Sequence, residues 1–180
     1  MTLLENTETQ ALLQRLREIV QAETDLKTNL LYVRQLLEAI YKALSADSKT
    51  SFSGLFARIQ YVNSILKVPK DLGQQVNQIR ILCNKAAHED DFIPRVESFT
   101  SSIHALYALL KWLNPEQCDP EIELYLNNTN AKPFPSFKPS KKLSFGCVVT
   151  SWKLLRKEGV NCGIQLKVST EEGMEYDVIL

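Results

Sequence analysis

The sequence predicts a mainly α-helical protein: an antiparallel helical bundle over residues 1–115, a Pro- and Asn-rich linker over 116–142, and a small β module of about three strands over 143–180. Five segments of the first part place apolar residues at helical spacing. Five prolines then fall between positions 115 and 139, where no continuous helix can form. In the last part, apolar and polar residues alternate with a period of two, as in a half-buried strand.

The first three helical segments each carry one apolar stripe. The first covers about 6–22. The second covers about 24–46, and its apolar residues are four, three, four, three and four apart, which puts them on one helix face: Leu26, Leu30, Val33, Leu37, Ile40 and Leu44. The third is expected to follow Ser51 as its N-cap and to end before Pro69.

Two more helices complete the predicted bundle. The fourth begins near Lys70 or Asp71, and its stripe is Leu72, Val76, Ile79, Cys83 and Ala87. The fifth opens at Pro94, a residue suited to a first helical turn, and runs to Leu113. Because the connections are short, neighbouring helices are expected to be antiparallel.

The C-terminal part reads as strands separated by turns at Gly159 and at 171–173. About 38 residues make a poor independent core. The chain also stops at Leu180 inside an apolar strand, so we expect the N-terminal part of a longer protein with further C-terminal domains. A natural C-terminal strand paired into a sheet is the alternative.

Composition and charge exclude several classes of protein. The chain has 21 basic and 21 acidic residues, so nucleic-acid binding would have to rest on a local patch. None of the four cysteines belongs to a CxxC pair, which argues against a zinc site. A domain of this size does not need disulfide bonds, so we expect a reducing compartment and a cytoplasmic protein. No signal peptide, membrane span or Gly-rich phosphate loop is present, so we expect no membrane association and no cofactor.

Three polar residues of the fourth helix are the best candidates for a functional site. Arg80, Asn84 and His88 are four residues apart, so they stack along one side of a helix beside the apolar stripe. A cation, an amide and an imidazole in one line can bind phosphate, and His88 could transfer a proton. Structural roles are the alternative: His88 suits a helix C-terminus, and Arg80 could pair with Glu38.

Two motifs resemble the HEPN superfamily. The second helix contains Leu31-Tyr-Val-Arg34-Gln-Leu-Leu-Glu38, and the fourth contains Ile79-Arg80-Ile-Leu-Cys-Asn84-Lys-Ala-Ala-His88. This is similar to the branch with an "R-x-L/A-L-E" helix followed by "I-R-x-x-x-N-x-A-A-H". The resemblance covers about residues 24–113. It implies a four- or five-helix bundle that is often a homodimer, with the polar ladder at a composite site facing the partner subunit.

The resemblance implies two different activities. Some HEPN members are metal-independent endoribonucleases of prokaryotic defence and toxin systems, in which an Arg and a His lie four to six residues apart. Others bind nucleotide or RNA without cleavage, as accessory modules of helicases, restriction enzymes and other ATPases. Here seven residues separate Arg80 from His88, and Cys83 occupies the usual place of the nuclease Arg. A neutral Cys cannot neutralise charge on a phosphate, so binding of nucleic acid or nucleotide is favoured over cleavage.

The sequence therefore leaves three hypotheses: an accessory nucleic-acid- or nucleotide-binding and dimerisation module, a ribonuclease using Arg80, Asn84 and His88, and a purely structural dimerisation domain. If RNA or DNA binds, the remaining candidate contacts are basic side chains: Lys85, Arg34, Lys138, Lys141 and Lys142. A surface ion pair of Arg34 with Glu38, and a solvated linker for the last three lysines, are the alternatives.

Overall fold

The structure, a computed structural model, describes residues 4–134 and the backbone of three later strands. It divides into two compact units, Met1–Ser136 and Phe137–Leu180. The first unit is mainly helical, as the sequence predicts. Within the described residues it contains six helices: α1 (Asn6–Gln21), α2 (Leu26–Leu44), α3 (Leu55–Leu66), α4 (Lys70–His88), α5 (Val96–Leu113) and α6 (Pro120–Asn128).

Helix α2 is the centre of the helical unit, because it packs against α1, α3, α4 and α5. Its start is fixed by Asp25, whose carboxylate accepts hydrogen bonds from the backbone N–H groups of Lys27 and Thr28 at 2.9 and 3.0 Å. The predicted stripe of α2 is buried from Leu30 onward. Leu36 and Tyr41 lie outside that stripe and are fully buried as well, because neighbouring helices cover α2 on more than one side.

Some predicted helix boundaries and faces are wrong. The N-cap of α3 is Gly54 and not Ser51. The ring of Phe52 packs edge-to-face on Tyr61, with centroids 5.2 Å apart, so the segment before α3 folds back on the helix instead of extending it. On α4 the fourth buried position is Ala86, whereas Ala87 is exposed.

Helix α5 begins two residues after Pro94, which the sequence placed in its first turn. It supplies the largest share of the buried side chains of any helix in the unit, with ten buried residues. That burial follows from its position between α1, α2, α4 and α6, all of which it contacts.

Helix α6 replaces the first part of the predicted linker. It packs on α1 and α5, and its Ile122 is fully buried. Pro120 occupies the first turn, where the missing N–H costs no hydrogen bond, and Asp119 is the N-cap. The boundary between the two units falls after residue 136, inside the predicted linker, and residues 135–142 of that linker lie outside the described residues.

The second unit contains three strands, β1 (Val148–Lys157), β2 (Val160–Ser169) and β3 (Glu175–Ile179). They form one antiparallel sheet in the order β1-β2-β3. The backbone of Leu166 on β2 is paired with Trp152 on one side and with Val178 on the other. In the part of the chain that the structure describes, no helix is long and apolar enough to span a bilayer.

Candidate functional site

The predicted ladder lies along one side of α4, next to the buried stripe. Arg80 and Asn84 are half-buried, and His88 is exposed as the last residue of the helix. Eight residues at 1.5 Å each separate the backbone positions of Arg80 and His88 by about 12 Å along the helix axis. The ladder is thus one continuous side of a helix, and its two ends lie in different surroundings.

Arg80 is held in place by two neighbours. Its Nε donates a hydrogen bond to Asn77 Oδ1 at 3.0 Å, and its guanidinium carbon lies 4.9 Å from the centre of the Phe56 ring on α3. Partial burial lowers the pKa of Arg80, but a guanidinium keeps its charge in proteins. Among the described residues no carboxylate forms an ion pair with Arg80.

Glu38, the carboxylate considered as a partner for Arg80, pairs with Arg34 instead. The Arg34 Nε lies 3.2 Å from Glu38 Oε1, one turn further along α2. This is the local ion pair that the sequence left open, and it makes Arg34 a compensated cation. Arg80, in contrast, has no neutralising carboxylate among the described residues.

Cys83 lies in the packed interior of the helical unit. It is completely buried, and this burial raises the pKa of its thiol to about 12, with the positive charge of Arg34 acting in the opposite direction. The side chain is consequently a neutral thiol near neutral pH, with no access to a ligand. Cys83 is therefore a core residue at the position where the HEPN nucleases have their Arg.

The His88 end of the ladder is acidic. Lys27 of α2 donates from its Nζ to the backbone carbonyls of Glu89 and Asp90, at 2.9 and 3.2 Å, which fixes the end of α4. The side chains of Glu89, Asp90 and Asp91 are exposed directly after His88. Three carboxylates beside an imidazole repel an approaching phosphate, so an anion would favour the Arg80 end.

Two residues that contribute to the Arg80 end were missed by sequence reasoning. Asn77 is three residues before Arg80 and continues the polar side of α4, a signal that spacing alone could have given. Phe56 follows Leu55, outside the stripe of α3, and its side chain is 50% exposed. An exposed aromatic residue off the apolar face was visible in the sequence, but its contact with Arg80 depends on how α3 packs.

The other predicted contacts are scattered. Lys85 is exposed, but it lies about 140° around α4 from Arg80 and so on a different side of the helix. Lys138, Lys141 and Lys142 lie outside the described residues. Within the described residues no group of three or more His, Cys, Asp or Glu side chains could hold a metal ion.

Comparisons of the chain with protein-family models, with curated proteins and with solved structures found no match. The HEPN resemblance therefore stays a prediction, and the site has to be argued from its own geometry.

Proposed function

We propose that the helical unit binds nucleic acid through the polar side of α4, with a phosphate group at Arg80. The observation that carries this proposal is the state of Arg80: a charged guanidinium that is held by Phe56 and Asn77 and has no carboxylate partner among the described residues. A guanidinium fixed by its neighbours loses little freedom when it binds and can contact a phosphate through two N–H groups. Asn84, the next residue of the ladder, forms no hydrogen bond with other described residues and can add a polar contact.

The same geometry favours binding over cleavage. Arg80 and His88 are about 12 Å apart at the backbone. The acidic residues 89–91 directly follow His88, and buried Cys83 offers neither a cation nor a reactive thiolate. A single phosphodiester group would need both a cation and a proton donor within hydrogen-bond reach for cleavage. We therefore assign Arg80 a binding role and leave His88 without a catalytic one.

Fluorescence anisotropy with labelled single-stranded RNA and DNA at low salt tests the proposal. We expect Arg80→Ala to weaken binding about ten-fold or more, because a hydrogen-bonded contact between charged groups is lost. Arg80→Lys should recover only part of the affinity, since Lys lacks the planar fork. Arg15→Ala is the matched control, because Arg15 is exposed on α1 and has no ion pair among the described residues.

Two results would contradict the proposal. One is a protein that binds neither RNA nor DNA at tens of micromolar in low salt, and the other is an equal loss of affinity in Arg80→Ala and Arg15→Ala. A salt titration adds a second check, because removal of one phosphate contact should reduce the slope of log affinity against log salt by about one. The homodimer implied by the family resemblance stays a separate prediction, and a strict monomer in sedimentation velocity at micromolar concentration would contradict it.

A further inference from the structure

A polar groove lies beside Arg80, between α3 and α4. It has a volume of about 390 Å³, and amide side chains dominate its lining: Gln60 and Asn63 from α3, and Gln74 and Asn77 from α4. Lys70, at the start of α4, is the one charged residue of the lining. Phe56 is one helical turn before Gln60, and Arg80 follows Asn77 on the same side of α4, so the groove continues into the site proposed above.

Two of these amides present oriented donors. Asn77 Oδ1 accepts from Arg80, and because a guanidinium only donates, the oxygen must face Arg80 and Nδ2 remains to donate elsewhere. Asn63 Oδ1 accepts from the Tyr41 hydroxyl at 2.8 Å. Burial raises the pKa of Tyr41, so its hydroxyl keeps its proton and acts as the donor in that hydrogen bond. Neither amide nitrogen has an acceptor among the described residues.

Gly73 keeps the donor of Asn63 uncovered. A Cβ atom at position 73 would come within 3.3 Å of Asn63 Nδ2, a distance tighter than ordinary van der Waals contact. Gln60 and Gln74 are exposed and form no hydrogen bond with other described residues. The groove thus offers the amide donors of Asn63 and Asn77 and the complete amide groups of Gln60 and Gln74 to a ligand.

Two cations mark the ends of the surface formed by the groove and the adjoining Arg80 site. Lys70 and Arg80 are ten residues apart on α4, which corresponds to about 15 Å along the helix axis. Stacked nucleotides of one strand rise about 3.4 Å each, so this length matches about four or five nucleotides. At the Arg80 end, the ring of Phe56 remains 50% exposed although the Arg80 guanidinium lies over it, and its exposed part is a flat apolar surface of the kind on which bases stack.

We propose that the groove between α3 and α4 binds the bases of a single-stranded nucleic-acid segment of about four or five nucleotides. Asn63, Asn77, Gln60 and Gln74 contact the base edges, and Phe56 stacks against one base. Lys70 and Arg80 contact phosphates at the two ends. The inference rests on the nucleic-acid binding proposed above and adds the single-stranded form and the role of α3. A duplex fits poorly, because its Watson–Crick edges are occupied by pairing and its base faces by stacking, whereas a single strand exposes both.

Binding competition with matched variants tests this inference. The probes are a labelled single-stranded RNA oligonucleotide, a DNA of the same sequence and a blunt RNA duplex. We expect the double variant Gln60→Ala/Gln74→Ala to bind single strands about ten-fold more weakly. Phe56→Leu should lose a similar factor and Phe56→Tyr should not, because only the second keeps a stacking ring. Gln35→Ala is the control, since Gln35 is an exposed glutamine of α2 that is not part of the groove.

The outcomes separate this inference from the proposed function. If Arg80→Ala weakens binding while the glutamine double variant binds as the parent protein does, the groove assignment is overturned and the phosphate contact stands. Equal competition by the duplex also overturns it. If no oligonucleotide binds, both proposals fail. The groove assignment is compatible with a preference for RNA and with equal affinity for RNA and DNA. The ratio of the RNA affinity to the DNA affinity shows whether 2′-hydroxyl groups are contacted. Far-UV circular dichroism checks that each variant is folded.

Discussion

Asp119 offers the sharpest test of how the helical unit is held together. Its side chain is only 2% exposed and serves two purposes. One carboxylate oxygen accepts from the backbone N–H groups of Glu121 and Ile122, at 3.0 and 3.1 Å, and so caps α6. The other accepts from Arg17 of α1, with Nη2 at 2.5 Å and Nε at 3.0 Å. The carboxylate therefore joins the start of α6 to α1.

The expected cost of Asp119→Ala follows from these contacts. Loss of the cap destabilises by about 1 kcal/mol. Loss of the hydrogen-bonded ion pair adds about 1.5–3 kcal/mol in general, and the lower end applies because Arg17 is partly exposed to water. The free energy of unfolding should fall by about 2–3 kcal/mol in Asp119→Ala. Asp119→Asn should lose only about half as much, because Asn caps helices as well as Asp does.

Urea denaturation followed by far-UV circular dichroism measures these differences, provided that the slope with denaturant is unchanged. Glu116→Ala is the control, because Glu116 is an exposed carboxylate of the same connection, and its loss should stay within about 0.5 kcal/mol. The reasoning is refuted if Asp119→Ala stays within the range of that control. It is refuted in part if the Asn and Ala variants are equally unstable, because the cap would then contribute nothing.

The pH dependence gives an independent check on the same carboxylate. Burial raises the pKa of Asp119, but the hydrogen bonds from Arg17 and from the backbone of α6 outweigh it and hold the pKa below the ordinary 3.8. A lowered pKa stabilises the fold at pH values above about 4, and this stabilisation is lost as the pH falls through the folded-state pKa. The stability difference between the parent protein and Asp119→Asn should therefore be constant from pH 7 to 5 and shrink below about pH 4. A difference that does not change with pH would contradict the charge-based part of the argument.

Three further predictions concern the core. Cys83 should resist alkylation in the native protein and react in urea, whereas the exposed Cys118 should react under both conditions. Peptide mass spectrometry measures the labelling, and labelling of Cys83 in the native protein would contradict its burial. Leu37→Ala should lower the free energy of unfolding by about 2–5 kcal/mol, and a loss below 1 kcal/mol by the same urea assay would contradict its central position. Tyr41→Phe should cost about 1 kcal/mol through the lost hydrogen bond to Asn63, with unchanged stability as the contrary result.

Periodicity predicted the helices well because burial on one face leaves a repeating signal. The stripe of α2 is the clearest case, since Leu30, Val33 and Leu37 are all fully buried. The same reasoning missed α6, because the prolines at 115 and 120 read as breakers. Asp119 followed by Pro120 is also an N-cap followed by a first-turn proline, and only packing against α1 and α5 decides between the two interpretations.

The candidate site was predictable in part for a similar reason. Spacing of four along a helix placed Arg80, Asn84 and His88 on one side of α4, and the structure has them there. The contact between Arg80 and Phe56 joins residues on two different helices, and no pattern within α3 or α4 encodes how those helices meet. The sequence therefore indicated which residues share a side, and the tertiary packing determined which end of that side has an aromatic neighbour.

The ion pair between Arg17 and Asp119 determines the shortest fragment of this chain that we expect to fold by itself. A fragment that ends at residue 115 would keep the five helices whose apolar stripes are visible in the sequence. It would lack α6, which packs on α1 and α5, and Arg17 would lose the carboxylate of Asp119. The fully buried Ile122 would be missing from the interior as well. Any autonomous version of the helical unit has to extend past α6, to about residue 130, and a protease that spares the folded unit should cut after that helix and not before it.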